Sequence, residues 1–536
     1  MEIERLYADN ALKINEMSEM ATAIVREYYD PVIGEAQNTY MLQKFQTPDS
    51  IVGQINNGAR YYFFKNNGFN IGFMSFYPRN DAMYLSKWYL YKQYRNSGFG
   101  RECLKFIIEE ARKEHLEAIE LNVNRYNPTQ RIYEHFGFHR IREEKIDIGD
   151  GFFMDDFVYR LDFDADAERL KSLVANGLAD DDIKQIAYKI LDGNRITDDE
   201  ALALYTRADL GLLGMLAFEI KRRKSGDKVY YNRNFHIEPT NVCINNCKFC
   251  SYKKPKDDPQ AWELSMDEIL HRVAVYKGSK ATEVHIVGGV HPDRDIEYYC
   301  RLMQEVKKLI PGIVVKAFTA VEIEYMINKA GLSIEDGLKK LIDSGLQCIP
   351  GGGAEIFDEK LRAEICPEKT KSSVWLEIHR TAHKLGISTN ATMLYGHKEN
   401  YAQRIDHLSR LRELQDETGG FSAFIPLKFR KENNSMHDFG EVPLTEDLRN
   451  YAVSRIYLDN FPHVKAYWVM SGLETTKLAL QYGADDIDGT VDDSTKIYTM
   501  AGVDGKPSMT VEQIRQLIES VGLKPVERDT FYNEIK

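Results

Sequence analysis

Three cysteines in one short window are the residues of this sequence best suited to chemistry. Cys243, Cys247 and Cys250 have the spacing Cys-x3-Cys-x2-Cys and follow the strand-like run HIEP. Clustered thiols in a chain with seven cysteines, an odd number, are typical of metal or redox sites and not of a disulfide framework. Three protein ligands leave a metal position open for substrate, whereas structural zinc sites use four. The spacing predicts a catalytic metal centre, and zinc with a fourth ligand from His236 or His285 is the alternative.

The elements that must position this loop alternate regularly. From residue 234 onward, eight strand-like runs are each followed by a helical segment. Eight such units in about 300 residues predict a closed (β/α)8 barrel, with an open doubly wound sheet as the alternative. In a barrel, the chemistry belongs at the carboxyl ends of the strands. The four cysteines outside the window are expected to be buried and inert, as small apolar side chains: Cys103, Cys300, Cys348 and Cys366.

The first part of the chain has a different pattern. Aromatic, alternating runs (YYFF, FNIGFMSFYP, AMYLSKWYLY) predict antiparallel strands, and the third leads through a glycine-rich loop into an amphipathic helix from Phe99. Backbone N–H groups at such a helix N-terminus form a cradle for pyrophosphate. Its candidate residues are Arg95, Asn96, Gly98 and Gly100. No single acidic residue in this first part of the chain stands out as a general base.

This N-terminal part, together with the segment NVNRYNPTQRIYEHFGF, resembles the GNAT-type N-acetyltransferases. The resemblance implies that the glycine-rich loop holds the pyrophosphate of acetyl-CoA. It also implies that Asn127 contacts the pantetheine arm and that Tyr133 protonates the leaving thiolate. Thr129 departs from the family, in which a small alanine is commoner at that position. The acetyl acceptor is not readable from the sequence, and a remnant without transferase activity is the alternative.

The Cys-x3-Cys-x2-Cys loop on the first strand of a predicted barrel resembles the radical S-adenosylmethionine (SAM) enzymes. The resemblance implies that the three thiolates hold a [4Fe–4S] cluster whose open iron binds SAM, and that Gly288 and Gly289 contact the amino acid part of SAM. We therefore predict an α/β chain with three parts: a GNAT-type domain with a mixed sheet at 1–163, a helical lead-in at 164–230, and a radical SAM barrel at 231–536.

Longer runs resemble one group of that superfamily, the aminofutalosine synthases of menaquinone biosynthesis by the futalosine route. The runs are HIEPTNVCINNCKFCSYKK, PGGGAEIFDE, RELQDETGGFSAFIPL and GADDIDGTV. The resemblance implies addition of the 5′-deoxyadenosyl group of SAM to 3-[(1-carboxyvinyl)oxy]benzoate. Rearrangement and loss of one carboxylate then give 6-amino-6-deoxyfutalosine. The alternatives are the cyclic dehypoxanthine futalosine synthases, the deazaflavin-forming enzymes of the same superfamily, or an N-acetyltransferase as the main activity.

A substrate with two carboxylates needs cations or hydrogen-bond donors inside an apolar chamber. Lys428 and Arg430 are the candidate substrate ligands. The further candidates are Glu322 and Glu355 for SAM, and four residues for catalysis or orientation: His291, His397, Asp486 and Asp488.

Composition limits the other possibilities. The formal net charge of -12 provides no basic field for nucleic acid, and the sequence contains neither a membrane-length apolar run nor a signal-like start. We expect a cytoplasmic enzyme with small-molecule substrates. It would have a low-potential electron donor such as flavodoxin or ferredoxin, and no membrane or nucleic-acid partner. Oligomeric state is not predicted.

Overall fold

The computed structural model describes residues 2–95, 97–162, 165–177, 180–492, 497–502 and 507–535, with the side chains at 135, 165–168 and 497 left aside. The predicted cradle residue Asn96 lies outside the described residues. The chain forms two compact units, Met1–Asp166 and Ala167–Lys536. No helix of the described residues is long and apolar enough to cross a membrane.

The first unit contains a mixed sheet, as predicted, and helices cover both faces of it. Its strands are β1 (Glu2–Leu6), β2 (Arg60–Asn66), β3 (Phe69–Arg79), β4 (Ala82–Leu90), β5 (Ala118–Asn124), β6 (His139–Gly149) and β7 (Phe152–Asp162). Its helices are α1 (Ala11–Ile33), α2 (Glu35–Phe45), α3 (Pro48–Asn56), α4 (Phe99–Lys113) and α5 (Gln130–His135), with a short 3₁₀ turn at Lys92–Tyr94.

The order β1-β2-β3-β4-β5-β7-β6 places the one parallel pair, β4 with β5, in the middle of the sheet. That pair is hydrogen-bonded only at its start, where Ala82, Met83 and Tyr84 face Ala118, Ile119 and Glu120. The described strands diverge beyond Tyr84, so the sheet is split at its centre. The apolar face of α4 fills one side of the sheet, and α1 and α3 fill the other.

The second unit begins with helices and continues as alternating strands and helices. Its strands are β8 (Lys228–Tyr231), β9 (Asn234–Ile237), β10 (Glu283–Ile286), β11 (Val314–Ala317), β12 (Cys348–Ile349), β13 (Ser388–Tyr395), β14 (Phe421–Lys428), β15 (His463–Ala466), β16 (Asp486–Ile487) and β17 (Lys524–Glu527). All pairings recorded among them are parallel.

The first helices of this part of the chain lie in the segment 164–230, which the sequence predicted to be helical. They are α6 (Ala165–Gly177), α7 (Asp181–Leu191), α8 (Asp198–Arg207), α9 (Leu210–Ser225), α10 (Met266–Ala274), α11 (Ile296–Leu309), α12 (Ala320–Ala330), α13 (Ile334–Asp343), α14 (Glu359–Ile365), α15 (Ser372–Lys384), α16 (Tyr401–Thr418), α17 (Leu444–Tyr457), α18 (Trp468–Ser471), α19 (Leu473–Ala479), α20 (Ile497–Met500) and α21 (Val511–Glu519), with a 3₁₀ turn at His437–Phe439.

The segment 228–237 closes this sheet into a ring. Strands β9 to β16 are neighbours in chain order, which excludes the doubly wound alternative because that topology reverses direction at its centre. Tyr230 of β8 pairs with Asp486 of β16, while β9 pairs with β10 on the other side. Asn234 also bonds the segment that follows β16, because Thr490 Oγ1 donates to the Asn234 carbonyl at 2.6 Å. All eight predicted barrel strands are confirmed, and β8 and β17 are additions.

Candidate functional sites

The cysteine loop starts just beyond the carboxyl end of β9 and is fixed by neighbouring strand ends. The N–H of Val290 donates to Cys243 Sγ at 3.4 Å, and the N–H of Ile244 donates to the Val290 carbonyl at 3.0 Å. The Lys248 N–H donates to the Ile365 carbonyl at 2.8 Å. Cys247 is buried, and Cys243 and Cys250 are half-buried. The loop is thus held against the carboxyl end of the barrel, as predicted for a catalytic centre.

The donor set suits a cluster. Among the described residues, no three His, Cys, Asp or Glu side chains are close enough to hold a single metal ion. A [4Fe–4S] cluster does not need such convergence, because each thiolate binds a different iron. His236, an alternative zinc ligand, instead contacts Tyr498 at 3.2 Å and His285 at 3.4 Å. Three buried or half-buried thiols on one loop therefore fit the cluster implied by the spacing.

Lys369 is a functional candidate that the sequence analysis missed. Its Nζ lies 2.5 Å from Glu355 Oε1 and 5.3 Å from the centre of the Phe249 ring, which precedes Cys250. Burial raises the pKa of all three loop thiols, and the positive charge of Lys369 opposes that shift. The cation therefore favours the thiolate forms that bind metal. No sequence pattern marks Lys369, because it is brought to the loop from the segment between α14 and α15.

Gly288 and Gly289 lie where β10 meets the cysteine loop, and the close approach requires glycine. A Cβ at Gly289 would lie 2.2 Å from the Val242 carbonyl oxygen, and one at Gly288 would lie 3.0 Å from that of Thr240. The Gly289 N–H donates to the Thr240 carbonyl at 2.8 Å. Backbone packing alone therefore explains why these two positions hold glycine. The contact of Gly288 and Gly289 with SAM stays a prediction.

The two glutamates predicted for SAM have different surroundings. Glu322 is the third residue of α12, where it forms a capping box with Thr319, and its Oε1 accepts from the Gly288 N–H at 3.1 Å. Burial raises the pKa of Glu322 to about 7, although these bonds oppose the shift. Glu355 has a left-handed backbone, φ +50°, and pairs with Lys369. Glu322 ties two strand ends together, and Glu355 lies nearer the cysteine loop.

Neither predicted histidine is free in the described structure. His291 Nε2 lies 3.0 Å from Glu263, and its Nδ1 accepts from the Asp293 N–H at 3.1 Å. His397 Nε2 lies 3.1 Å from the Leu394 carbonyl, and its Nδ1 lies 3.3 Å from Glu399. Burial lowers the pKa of both rings, which favours the neutral form. Their catalytic roles stay predictions.

The two cations predicted for the substrate carboxylates differ in their partners. Lys428 Nζ donates to Asp447 Oδ2 at 2.8 Å and to the Val442 carbonyl at 2.9 Å, so it is already paired. Arg430 lies 3.1 Å from Glu441, but its buried Nε has no partner among the described residues. Arg430 also lines a cavity of about 640 Å³ together with Trp468 and Met509.

Asp486 and Asp488 lie inside the barrel within a buried ion network. Asp486 accepts from Arg528 and from the Tyr532 hydroxyl, both at 2.6 Å. Asp488 accepts from Lys465 Nζ at 3.1 Å. Burial alone would raise the pKa of Asp488, but the Lys465 ammonium holds it well below its usual value. Both carboxylates are therefore committed to protein cations in this structure.

In the first unit, the predicted cradle forms the start of α4. Gly98 is the N-cap residue with φ +85°, and no side chain caps the helix. A Cβ at Gly98 would meet nothing within 4 Å among the described residues. Arg95 donates from Nε to the Leu90 carbonyl at 3.0 Å. A helix N-terminus that no side chain caps fits a pyrophosphate, the group that acetyl-CoA would place there.

The other two acetyltransferase candidates lie beside the split in the sheet. Asn127 Oδ1 accepts from the Thr129 N–H at 2.9 Å and from the Tyr28 hydroxyl at 3.1 Å, so this side chain is largely committed to its own loop. The Tyr133 ring packs 6.0 Å from that of Trp88. Burial raises the pKa of the Tyr133 phenol, which keeps it protonated as a proton donor requires.

Three regions of the chain match known family models. Residues 237–411 match the Radical SAM superfamily, 418–536 match the CofH/MqnC C-terminal region, and 21–138 match the Acetyltransferase (GNAT) family. In solved structures, the FeFe-hydrogenase maturase HydG of Carboxydothermus hydrogenoformans is similar to 68% of this chain, over 84% of its own length, with a TM-score of 0.53 at 16% identity. That likeness concerns the fold alone.

Curated relatives are closer in sequence. The aminodeoxyfutalosine synthase of Thermus thermophilus is 42% identical over 364 residues, covering 67% of this chain and 98% of that protein. The cyclic dehypoxanthine futalosine synthase of Streptomyces coelicolor is 37% identical, covering 66% of this chain and 89% of that protein. The 5-amino-6-(D-ribitylamino)uracil–L-tyrosine 4-hydroxyphenyl transferase of Methanocaldococcus jannaschii is 38% identical, covering 63% of this chain and 96% of that protein. The chain therefore belongs to the aminodeoxyfutalosine synthase family of radical SAM enzymes and carries a GNAT-family domain in addition.

Proposed function

We propose that the second unit makes 6-amino-6-deoxyfutalosine in the futalosine route to menaquinone. It would join the 5′-deoxyadenosyl group of SAM to 3-[(1-carboxyvinyl)oxy]benzoate, with rearrangement and loss of one carboxylate. The observation that carries this proposal is the 42% identity to an aminodeoxyfutalosine synthase, 98% of which is covered. The cyclic dehypoxanthine futalosine synthase is 37% identical and the 4-hydroxyphenyl transferase is 38% identical.

The roles of the residues in this reaction follow from their surroundings. Cys243, Cys247 and Cys250 would hold the cluster, which when bound supplies the electron that cleaves SAM. The Val290 N–H donates to Cys243 Sγ and thereby stabilises negative charge on that sulfur. A low-potential flavodoxin or ferredoxin would supply the electron to the cluster.

For the substrate carboxylates, the structure favours Arg430 over Lys428. Lys428 already neutralises Asp447, which is fully buried, and moving it to a ligand would leave that carboxylate unpaired. Arg430 has an unpartnered Nε and borders a cavity. An arginine also binds carboxylates in a bidentate way that lysine does not.

For the first unit, we propose that it binds acetyl-CoA and transfers the acetyl group. The supporting observation is the uncapped N-terminus of α4 after the left-handed Gly98, beside the split between β4 and β5. Calorimetric titration of the protein with acetyl-CoA tests this proposal. A Gly98→Asp variant, which places a negative charge at the cradle, should lose at least 10-fold in affinity, and unchanged affinity would contradict it.

The barrel proposal is tested anaerobically with the reconstituted full chain. It is given reductant, SAM and one of three substrates: 3-[(1-carboxyvinyl)oxy]benzoate, dehypoxanthine futalosine, or 5-amino-6-(D-ribitylamino)uracil with tyrosine. Turnover of the first alone supports the synthase, and turnover of either other substrate in its place assigns the chain to that activity. Cys247→Ala should abolish turnover, whereas Cys300→Ala, at a buried cysteine on α11, is the matched control.

A further inference from the structure

The inner face of the barrel carries a chain of hydrogen bonds that the site residues above do not explain. His236 of β9 is paired in register with His285 of β10, and its Nε2 lies 4.0 Å from Asp488, inside the barrel. The Nδ1 of His236 lies 3.2 Å from the hydroxyl of Tyr498 on α20. That hydroxyl contacts the hydroxyl of Tyr467, the residue that follows β15. Four segments that are distant in sequence thus meet in one chain of polar side chains.

The direction of this chain is set at its start by Asn234. The Val491 N–H donates to Asn234 Oδ1 at 2.8 Å, which leaves the Asn234 amide nitrogen 3.4 Å from His236 Nε2. An amide NH2 group only donates, so His236 Nε2 accepts. His285 Nδ1 lies 3.4 Å from the same nitrogen and donates to it as well. Burial lowers the pKa of His236 to about 4, so its ring is neutral and carries one proton. That proton is therefore on Nδ1, the nitrogen that faces Tyr498.

The same direction continues through the two tyrosines. His236 Nδ1 donates to the Tyr498 oxygen, so the proton of Tyr498 is available to Tyr467. No other hydrogen bond of the Tyr467 side chain is recorded among the described residues, so its own proton has no acceptor there. Burial raises the pKa of Tyr467 well above its usual value, and the nearby Tyr498 adds to the shift. Tyr467 is thus a neutral, protonated donor that suits an acceptor on a bound molecule.

The position and surroundings of Tyr467 favour a carboxylate as that acceptor. Tyr467 lies at the carboxyl end of β15 and is half-buried, so part of it is accessible at the barrel end that holds the cysteine loop. The cations of the buried network inside the barrel are already paired: Lys316 with Glu283, Lys465 with Asp488, and Arg528 with Asp486. An anion that reaches these residues finds no free cation among them and relies on neutral donors. Hydrogen bonds to a charged acceptor are the stronger ones, and a chain of hydrogen bonds polarises its last member.

We propose that the Tyr467 hydroxyl donates a hydrogen bond to a carboxylate of the substrate. The residues that hold it in that direction are Asn234, His236 and Tyr498. The inference rests on the proposed function of the second unit, because 3-[(1-carboxyvinyl)oxy]benzoate carries two carboxylates. Arg430 binds one of them in that proposal, and Tyr467 receives the other. Tyr467 is the binding residue, whereas the three residues before it act through Tyr467 and are positioning residues.

Anaerobic calorimetry on the reconstituted full chain, with SAM but without reductant, tests this contact. Tyr467→Phe removes only the hydroxyl. It should raise the Kd of 3-[(1-carboxyvinyl)oxy]benzoate at least 5-fold, with the affinity for SAM within 2-fold of the parent. Tyr401→Phe, which removes a hydroxyl bonded to Glu446 at the start of α16, is the matched control and should change neither affinity more than 2-fold. An unchanged Kd in Tyr467→Phe, or an equal loss of SAM affinity, would overturn the proposal.

Two analogues of the substrate identify which carboxylate Tyr467 receives. 2-Phenoxyacrylate lacks the carboxylate on the ring, and 3-(vinyloxy)benzoate lacks the carboxylate on the vinyl group. The effect of Tyr467→Phe on Kd should fall below 2-fold for one analogue and persist for the other. An effect that persists for both analogues, or vanishes for both, would contradict a bond to a carboxylate.

A double-mutant cycle tests the positioning residues. Tyr498→Phe should raise the Kd of the benzoate about 3-fold in the parent, because Tyr467 then lacks its donor. In the Tyr467→Phe background, the same substitution should change Kd by less than 1.5-fold. Equal effects in both backgrounds would reject the chain of hydrogen bonds.

Product formation is measured in the same samples after reductant is added. Turnover of the benzoate by the parent, with an unchanged Kd in Tyr467→Phe, rejects this inference alone. If the parent neither binds nor turns over the benzoate, the proposed function is rejected and this inference with it.

Discussion

The ammonium of Lys369 lies 2.5 Å from the carboxylate of Glu355, and this pair is placed against the cysteine loop. The two side chains are 13% and 10% exposed, so neither charge is well solvated alone. Removing one partner of a buried pair leaves the other uncompensated, at a cost of about 3 kcal/mol. The pair therefore both supports the fold at this end of the barrel and presents a positive charge to the thiolates.

Lys369→Met should destabilise the second unit by about 3 kcal/mol, because Glu355 is then buried without its cation. Urea unfolding followed by tryptophan fluorescence measures this change. Lys371→Met, at an exposed lysine two residues away, should change stability by less than about 0.5 kcal/mol. In the double variant Lys369→Met/Glu355→Gln, part of the lost stability should return. If the single and double variants are equally destabilised, the ion pair is not the cause.

Gly289→Ala should prevent the cysteine loop from adopting its position, because the new Cβ would lie 2.2 Å from the Val242 carbonyl oxygen. We expect iron retained after anaerobic reconstitution to fall at least 5-fold. Gly312→Ala is the matched control, because a Cβ there meets nothing within 4 Å and its φ is not positive. Normal iron content in Gly289→Ala would show that the loop can move without loss of the site.

Lys428 and Arg430 should respond differently to substitution. Lys428→Met leaves the fully buried Asp447 unpaired and should cost about 3 kcal/mol of stability. Arg430→Gln should leave the melting temperature within about 2 °C of the parent and raise KM for 3-[(1-carboxyvinyl)oxy]benzoate about 10-fold. The opposite pattern, a stable Lys428→Met with a raised KM, would assign the substrate carboxylate to Lys428.

Asp156 should make the stability of the first unit depend on pH. Burial raises its pKa from 3.8 to about 6, so the folded state favours the protonated acid. The stability that Asp156 contributes is therefore full below about pH 4 and is lost as pH rises through 6. Asp156→Asn does not titrate, and its melting temperature should rise relative to the parent between pH 4 and 7. If the difference in melting temperature between Asp156→Asn and the parent stays constant from pH 4 to 7, the raised pKa of Asp156 is contradicted.

The barrel could be predicted from the sequence because its strands are buried on both faces and appear as separate apolar runs. Strand β15 shows where this pattern misleads: by residue type the whole run VKAYWVM favours a strand, but β15 ends at Ala466 and α18 begins at Trp468. Side-chain preferences for strand extend across that boundary, and only the packed structure ends the strand at Ala466. Strands β8 and β17 were missed because four-residue runs, KVYY and KPVE, carry too little pattern.

The cysteine site was predictable because its ligands are adjacent in sequence. Lys369 and Asp156 were not, because their importance arises from contacts between distant segments. Lys369 reaches the loop from beyond α14, and Asp156 becomes significant only where β4 and β5 separate. Similarly, the sequence could not show that Lys428 is neutralised by Asp447, nineteen positions later on α17.

The most direct test of the barrel's function uses SAM labelled with ¹³C throughout its ribose. The reconstituted chain is incubated with this SAM, reductant and 3-[(1-carboxyvinyl)oxy]benzoate, and the products are analysed by mass spectrometry. We predict 6-amino-6-deoxyfutalosine carrying the complete ¹³C ribose, at equal yield in Cys300→Ala and absent in Cys247→Ala. Labelled 5′-deoxyadenosine as the only product, with the benzoate unchanged, would contradict the proposed synthase activity.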